Sequence, residues 1–259
     1  MLGKVLKYDI KSCARYYLPM YLIFAVIILI TKIYLTINPE NGTVNTIFSG
    51  MILTSYFVCL IGMGLLTEIF LVIHFYKKCI SSEGYLTFTL PVKTGTQLLS
   101  KCLNSAIWHI LSYSGIFLSL FVFLSPKELS NSIHVVSTVF YSWTSIDWTG
   151  FTVFFCLSLI VNLFTSPLMF FASMAIGQMV TRHKILTSLL VYIGFYMVFS
   201  MISSFGSTFF FIGTEVIFQG NETASITILS AFSFLLTFVQ AGLYYFLTYF
   251  FLDRKLNLI

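Results

Sequence analysis

The sequence has very few charged residues, which make up only 9% of its 259 positions. A water-soluble domain of this length has about a quarter of its residues charged. Hydrophobic residues instead reach 58%, and the mean hydropathy is +0.94. This composition excludes a soluble globular domain and predicts an integral membrane protein.

Sequence motifs for nucleotide or metal chemistry are also missing. The sequence has no G-x-x-x-x-G-K-[ST] phosphate loop, no H-E-x-x-H zinc motif and no G-x-S-x-G nucleophile elbow. Its four histidines lack ligand spacing, and its five cysteines form no C-x-x-C pair. We therefore predict that the chain is not an enzyme, holds no cofactor or metal of its own and does not bind nucleic acid.

Long hydrophobic runs are what the sequence has in abundance. A bilayer core about 30 Å thick needs roughly 20 apolar residues in a helix. Six runs meet this need, at residues 18–34, 47–75, 98–124, 151–180, 185–204 and 224–252. We predict an all-α membrane protein with six transmembrane helices, built as a single transmembrane domain over residues 1–259.

Basic residues are distributed unequally between the two sides that six spans define. Twelve of the fourteen Lys and Arg residues fall in the N-terminal segment, the second and fourth connections and the C-terminal tail. Only Lys32 and Lys127 fall on the other side. Because cytoplasmic connections carry the excess of Lys and Arg, both termini are predicted to be cytoplasmic.

The segment before the first predicted span has an amphipathic pattern. Apolar residues recur at helical spacing at Leu2, Val5, Leu6, Ile10, Cys13 and Tyr17, and basic residues lie opposite them at Lys4, Lys7, Lys11 and Arg15. This pattern predicts an N-terminal helix, residues 1–16, that lies in the cytoplasmic interface. Anchoring to anionic lipid and contact with a partner subunit remain equally open.

A polar segment at residues 77–97 interrupts the hydrophobic runs on the predicted cytoplasmic side. Ser81 or Ser82 can cap a short helix there, with Glu83 in its first turn. Pro91 would end that helix, because the residue before a proline is pushed out of the α region. The pattern favours a short helix parallel to the membrane, and an ordinary interfacial connection is the alternative.

Local signals also mark the ends of the later spans. Thr94 followed by Gln97 reads as a capping box that opens the third span. Ser203–Ser207 interrupts the fifth run, and the short apolar run after it predicts a re-entrant or interfacial segment at 205–223. Residues 125–149 have the character of an interfacial outer loop.

Three polar residues within the predicted spans are candidates for an intramembrane polar role. A charge at the bilayer centre costs roughly 2.5–3.5 kcal/mol, so Glu68 needs a partner or a function. We favour a structural role for Glu68, as a partner for nearby lysines or for another subunit, over a role in transport. Asn162 and Gln178 are expected to bond a neighbouring helix rather than line a substrate path.

The polar segment has a recognisable sequence pattern. The residues F-Y-K-K, followed by S-S-E-G-Y-L-T-F-T-L-P-V-K, come directly after the long second span. This pattern resembles the membrane subunits of ABC-2-type ABC exporters of Firmicutes, and the predicted topology and N-terminal helix match that family along the whole chain. In size and layout the chain is similar to permeases that export amphipathic peptides of the phenol-soluble modulin type.

The resemblance implies a bacterial cell-membrane homodimer that carries two ABC ATPase subunits, on which ATP and Mg²⁺ bind. By position, the ATPase-docking coupling helix would comprise Ser81, Ser82, Glu83, Gly84, Tyr85, Leu86 and Thr87. The resemblance makes Tyr85 and Leu86 its buried anchors and Glu83 a polar contact. The cargo it implies is an amphipathic or hydrophobic peptide.

Other functions remain open. The same architecture would suit an exporter of a lipid or of a small hydrophobic antibiotic, and self-immunity is not separated from secretion. A stand-alone carrier or immunity protein is a further alternative. A carrier is expected to have inverted repeats and interrupted helices in both halves, whereas the sequence shows one apparent break and no repeat.

Overall fold

The computed structural model describes residues 2–37, 43–81, 84, 92–123, 126–144, 148–180, 183–218 and 222–254. These residues form seven α-helices and one π-helical turn, with no strand among them. The α-helices are α1 (Leu2–Ile37), α2 (Thr43–Phe75), α3 (Thr94–Phe123), α4 (Pro126–Thr144), α5 (Trp148–Gly177), α6 (Lys184–Phe218) and α7 (Glu222–Arg254). The π-helical turn, Tyr76–Ile80, follows α2 directly.

Six of these helices are long and apolar enough to cross a membrane. Their candidate spans are Leu2–Ile37, Ile47–Ile80, Thr94–Phe123, Cys156–Gly177, Lys184–Gly213 and Ser230–Asp253. Each coincides with one of the hydrophobic runs in the sequence. The described part of the chain is therefore all-α and contains six helices long and apolar enough to span a membrane, as the sequence predicted.

The amphipathic N-terminal segment and the first span form one continuous helix, α1, which runs through Pro19. Cys13 and Tyr17 are buried, whereas the four basic residues of the segment are exposed. The two faces therefore divide as the sequence predicted. The position of residues 1–16 in the membrane interface stays a prediction.

The predicted outer loop at 125–149 is wrong for most of its length, because residues 126–144 form the helix α4. Proline is well tolerated at a first helical position, where its missing N–H is not needed. The helix has polar residues interspersed with exposed apolar ones such as Val135 and Val139. It therefore contains no long hydrophobic run, which is the signal that predicted the other helices.

The predicted break at Ser203–Ser207 is also wrong, because α6 continues without interruption to Phe218. The hydroxyls of Ser207 and Thr208 both donate to the carbonyl of Ser204, at 2.9 Å, and so do not compete with the helix. Gly206 lies against α7, where a Cβ would come within 2.9 Å of the Phe232 ring. Within residues 183–218 the predicted re-entrant segment has no counterpart; residues 219–221 lie outside the described residues.

Helix α3 begins at Thr94, as the sequence predicted, but its first turn is bonded differently from a capping box. The Thr94 hydroxyl donates to the carboxylate of Asp253 near the end of α7, at 2.8 Å. The Gln97 side-chain amide donates to the Val92 carbonyl at 3.4 Å. The backbone N–H of Gln97 donates to the carbonyl of Lys93, which occupies the cap position.

The chain divides into two compact units. Unit 1 comprises Met1–His74 and Leu99–Leu129, and unit 2 comprises Phe75–Leu98 and Ser130–Ile259. The prediction of a single transmembrane domain stays a prediction.

Unit 1 has a core of aromatic and sulfur-containing side chains from α1, α2 and α3. The rings of Tyr17 and Trp108 stack with centroids 4.3 Å apart and planes 10° apart. Cys13, Met20 and Met63 pack around them. Because lipid tails are as apolar as these side chains, such packing and interhelical hydrogen bonds stabilise the unit more than burial itself does.

Unit 2 is built on α5, α6 and α7, which pack against one another. Tyr244 of α7 is fully buried, and its ring contacts Phe195 and Phe199 of α6 at centroid distances of 5.3 and 5.2 Å. Helices α5 and α6 approach closely at Gly177, where a Cβ would lie 2.0 Å from the Ser188 hydroxyl. A glycine is required at this crossing.

Candidate functional site

Unit 1 collects polar side chains from three membrane helices in its interior. Helix α3 places buried polar residues on one face, at Ser100, Lys101, Asn104, Ser105, His109 and Ser112. Asp9 of α1 and His74 of α2 are buried as well. We refer to this set, together with Glu68 of α2, as the polar cluster.

One end of the polar cluster, which is the predicted cytoplasmic end, is an ion pair between Asp9 and Lys101. The two residues are only 5% and 3% exposed, and the Lys101 ammonium donates to Asp9 Oδ1. The Ser100 hydroxyl donates to the other carboxylate oxygen at 2.7 Å, and His74 Nε2 lies 3.9 Å from Oδ1. A buried charge is tolerated only when it is paired and hydrogen-bonded in this way, so the pair fixes α1 against α3.

The predicted assignment of Lys101 to the second connection is wrong. The sequence placed Lys101 among the basic residues of the second cytoplasmic connection, whereas it lies inside α3 and is neutralised by Asp9. The other eleven basic residues assigned to that side keep the asymmetry large. The predicted orientation therefore does not depend on Lys101.

A second pair, Glu68 and His109, lies two helical turns further along α3. The His109 Nδ1 atom is 2.9 Å from the Ser105 carbonyl, and a carbonyl only accepts, so Nδ1 carries a proton. The His109 Nε2 atom is 3.0 Å from Glu68 Oε1, and this contact also needs a proton. The pair is either imidazolium with carboxylate or imidazole with carboxylic acid, and both states have zero net charge.

Hydroxyl groups connect the same three helices beside this pair. The Tyr17 hydroxyl donates to the Thr67 carbonyl at 2.8 Å, and the Thr67 hydroxyl donates to Ser112 Oγ at 2.8 Å. The Tyr21 hydroxyl is also 2.8 Å from Ser112 Oγ. The cluster therefore continues as a chain of hydrogen bonds from α1 through α2 to α3.

The three polar residues predicted within the spans have different surroundings. Glu68 bonds His109, a partner that the sequence did not identify. Asn162 is exposed on α5, and its amide donates to the Ser158 carbonyl of its own helix at 3.0 Å. Gln178 is buried just after α5, and its side-chain nitrogen has no hydrogen-bond partner among the described residues. Asn162 and Gln178 are about 24 Å apart along the helix axis at 1.5 Å per residue, so they do not form one site.

The predicted coupling helix is described only at Ser81 and Gly84. Gly84 is α-helical, and its N–H donates to the Ser81 carbonyl at 2.7 Å. The Ser81 hydroxyl donates back to the Lys77 carbonyl at 2.6 Å, so it closes the preceding helix rather than capping a following one. The remaining predicted docking residues, which lie outside the described residues, are Ser82, Glu83, Tyr85, Leu86 and Thr87.

The polar cluster consists of hydrogen bonds and ion pairs between helices, together with the titratable Glu68–His109 pair. The described residues contain no group of three or more His, Cys, Asp or Glu residues that could hold a metal ion. The fold and the polar cluster together define a multi-pass helical membrane protein. Comparisons with family models, curated proteins and solved structures find no match to this chain.

Four residues of the polar cluster were not predicted from the sequence as site residues: Asp9, His74, Lys101 and His109. A usable signal was present in α3, where polar residues recur every three or four positions from Gln97 to Ser112. That spacing places them on one face of a helix, which is unusual in a membrane span unless the face is buried against other helices. Asp9 gave no comparable signal, because it lies among basic residues in a segment predicted to be at the interface.

Proposed function

We propose that the chain is the transmembrane permease subunit of an ATP-driven ABC exporter in the bacterial cell membrane. Its cargo would be amphipathic or hydrophobic peptides, and a separate ABC ATPase subunit would bind ATP and Mg²⁺ and hydrolyse the ATP. The observation that carries this proposal is the polar segment with the S-S-E-G-Y-L-T-F-T-L-P-V-K pattern, set between two spanning helices. The lack of a phosphate-binding loop in the sequence agrees with an ATPase on another chain.

The bonding at the two ends of this segment supports a role in force transmission. At one end, α2 passes through the π-helical turn to Ser81 without a flexible break. At the other end, the bond from Thr94 to Asp253 joins the start of α3 to the end of α7. A displacement of the segment by an ATPase would therefore act on α2, α3 and α7 together.

The proposed mechanism has two conformations of a permease homodimer. ATP binding draws the two ATPase subunits together, and the coupling helices pass this movement to the membrane helices. Nucleotide then biases the equilibrium between the two arrangements, which requires that it bind one of them more tightly. Both termini would face the cytoplasm, next to the ATPase subunits.

The test of this proposal is a double substitution, Tyr85→Ala with Leu86→Ala. Aromatic and apolar anchors contribute most of the binding energy at protein interfaces, and each hot spot contributes about 2 kcal/mol or more. We expect the variant to lose copurification of the ATPase and peptide-stimulated ATP hydrolysis. The matched control is Tyr141→Ala with Val139→Ala on α4, where both side chains are exposed, and it should retain both properties.

Two results together would overturn the proposal. The wild-type protein would copurify with no ATPase, and the Tyr85→Ala, Leu86→Ala variant would transport normally. ATPase stimulation by an amphipathic peptide, a lipid and a small hydrophobic antibiotic, measured side by side, would identify the cargo class. Stimulation by the peptide alone is expected.

A stand-alone carrier or immunity protein is the second candidate, and the Glu68–His109 pair is the observation that favours it. The pair places an acid and an imidazole 3.0 Å apart on two candidate membrane helices, and such pairs form the proton relays of proton-coupled carriers. Transport that an ionophore abolishes, that needs no ATPase and that is lost in Glu68→Gln would support the carrier. Transport that persists in Glu68→Gln and requires the ATPase would support the exporter.

A further inference from the structure

An apolar groove runs between α1 and α2 within unit 1. It has a volume of about 300 Å³, which is at the lower end of the range for small-molecule sites. Tyr16, Pro19 and Met20 form the α1 wall, and Met63 and Phe70 form the α2 wall. No charged side chain lines the groove.

Gly62 keeps the groove open along its α2 side. A Cβ at this position would meet no other atom within 4 Å, although the residue lies among the groove-lining side chains. At the edges of the groove, Ile23 and Leu66 are 58% and 39% exposed. Both helices are candidate membrane spans, so the groove opens toward hydrocarbon and suits an acyl chain.

A cation lies at the predicted cytoplasmic end of the groove. Arg15 is exposed and lies one helical turn before Pro19, on the same side of α1. The other exposed basic residues of α1 continue along the helix toward its start, at Lys4, Lys7 and Lys11. An anionic headgroup therefore matches the charge at this end of the groove.

We propose that the groove binds an anionic phospholipid of the cytoplasmic leaflet, with an acyl chain along Gly62 and the phosphate at Arg15. The positive charge of α1 favours this occupant over a second copy of the chain, which would bring the same positive charges. Binding of this lipid holds α1 against α2 and does not depend on which partner drives transport.

The test uses the full-length protein with any copurifying partner, titrated with phosphatidylglycerol and observed by native mass spectrometry. Gly62→Phe fills the groove, so retention of phosphatidylglycerol is expected to be lost. Gly64→Phe is the matched control, because a Cβ at Gly64 also meets nothing within 4 Å but the residue does not line the groove. Retention should be unchanged in this control.

A second pair of variants tests the headgroup without changing the groove. Arg15→Gln is expected to weaken phosphatidylglycerol binding about fivefold, since one basic residue near the membrane contributes about 1 kcal/mol. Lys7→Gln removes the same charge from the same basic face, but eight positions before Arg15. That places it about 12 Å away along the helix axis, so it should weaken binding less than Arg15→Gln does. Phosphatidylcholine should bind the wild type as weakly as phosphatidylglycerol binds Arg15→Gln.

Three results would overturn the proposal. Equal retention in all four variants would show unselective annular lipid. Equal binding of phosphatidylcholine, with no effect of Arg15→Gln, would show that the headgroup is not recognised. Dissociation of a dimer by Gly62→Phe but not by Gly64→Phe would assign the groove to a second copy of the chain. If Gly62→Phe fails to fold, the Arg15→Gln and Lys7→Gln comparison still decides the question.

Discussion

Asp9 and Lys101 bring opposite charges into the packed interior of α1, α2 and α3, and each makes the other tolerable there. The Born cost of isolating either ion in a medium of low dielectric constant is far larger than the stability of a typical domain. The Glu68–His109 pair solves the same problem with one shared proton, so its net charge is zero in either protonation arrangement. Buried polarity in unit 1 is therefore organised as neutral pairs.

The Asp9–Lys101 pair predicts strong non-additivity between substitutions. Lys101→Met leaves a buried carboxylate without its cation, and we expect the free energy of unfolding to fall by about 3 kcal/mol. Adding Asp9→Leu should restore it to within about 1 kcal/mol of the wild type, because no uncompensated charge remains. Denaturant unfolding in detergent micelles, followed by circular dichroism, measures both values.

Lys32→Met is the control for this cycle. Lys32 is exposed on the same helix as Asp9, and its substitution should change stability by less than about 0.5 kcal/mol. A double variant that is less stable than Lys101→Met alone would contradict the neutral-pair account.

At the scale of the helices, two kinds of residue determine how α5 packs against α6. Small residues lie where the two backbones are close, and aromatic rings fill the space where the backbones are farther apart. Gly177 allows the end of α5 to meet α6 at Ser188. Phe170 of α5 and Tyr192 of α6 then stack with their ring centroids 4.3 Å apart. The close contact at Gly177 and this ring stack together determine how α5 and α6 pack.

Gly177→Ala is predicted to destabilise the protein. Its Cβ would meet not only the Ser188 hydroxyl but also the Ser188 Cα at 2.8 Å, so side-chain rotation does not relieve the clash. We expect a loss of about 1–3 kcal/mol, the usual cost of overpacking. The measurement is the thermal unfolding midpoint of the purified variant.

Gly194→Ala on α6 is the matched control, since its Cβ would meet nothing within 4 Å. Alanine has the higher helix propensity by about 1 kcal/mol, so this variant should be as stable as the wild type or more so. Equal destabilisation by both substitutions would attribute the effect to glycine in general rather than to the close crossing.

The helices themselves were largely predictable, and their interior partners were not. Hydrophobic runs identify spans because the bilayer imposes length and apolarity on each helix separately. The pairing of Asp9 with Lys101 joins positions 92 residues apart, and no local pattern encodes such a contact. The predicted break at Ser203–Ser207 was wrong for a related reason. Serine residues are common where helices end, and the sequence does not show that the Ser207 hydroxyl bonds a carbonyl of its own helix.

At the scale of the whole molecule, the distribution of basic residues implies one orientation in the membrane. Lys and Arg excess next to spans determines which connections stay in the cytoplasm. The start of the N-terminal helix carries that excess on an exposed face, and α4 falls in the connection predicted to face outward.

Reporter fusions test this orientation. Green fluorescent protein fused to the C-terminus should fluoresce, and alkaline phosphatase inserted after Thr144 should be active, because the two positions are predicted to lie on opposite sides of the membrane. Exchanging the reporters should silence both. Active phosphatase at the C-terminus would contradict the assigned orientation.

The ion pair between Asp9 and Lys101 also has a consequence for biogenesis. Asp9 leaves the ribosome before its cation does, because Lys101 follows it by 92 residues. At 5–20 residues per second, the ribosome needs about 5–20 s to synthesise that interval. During that time the first helix carries an acid whose cation has not yet been synthesised. The ion pair that joins α1 to α3 can therefore form only after the third helix has been made.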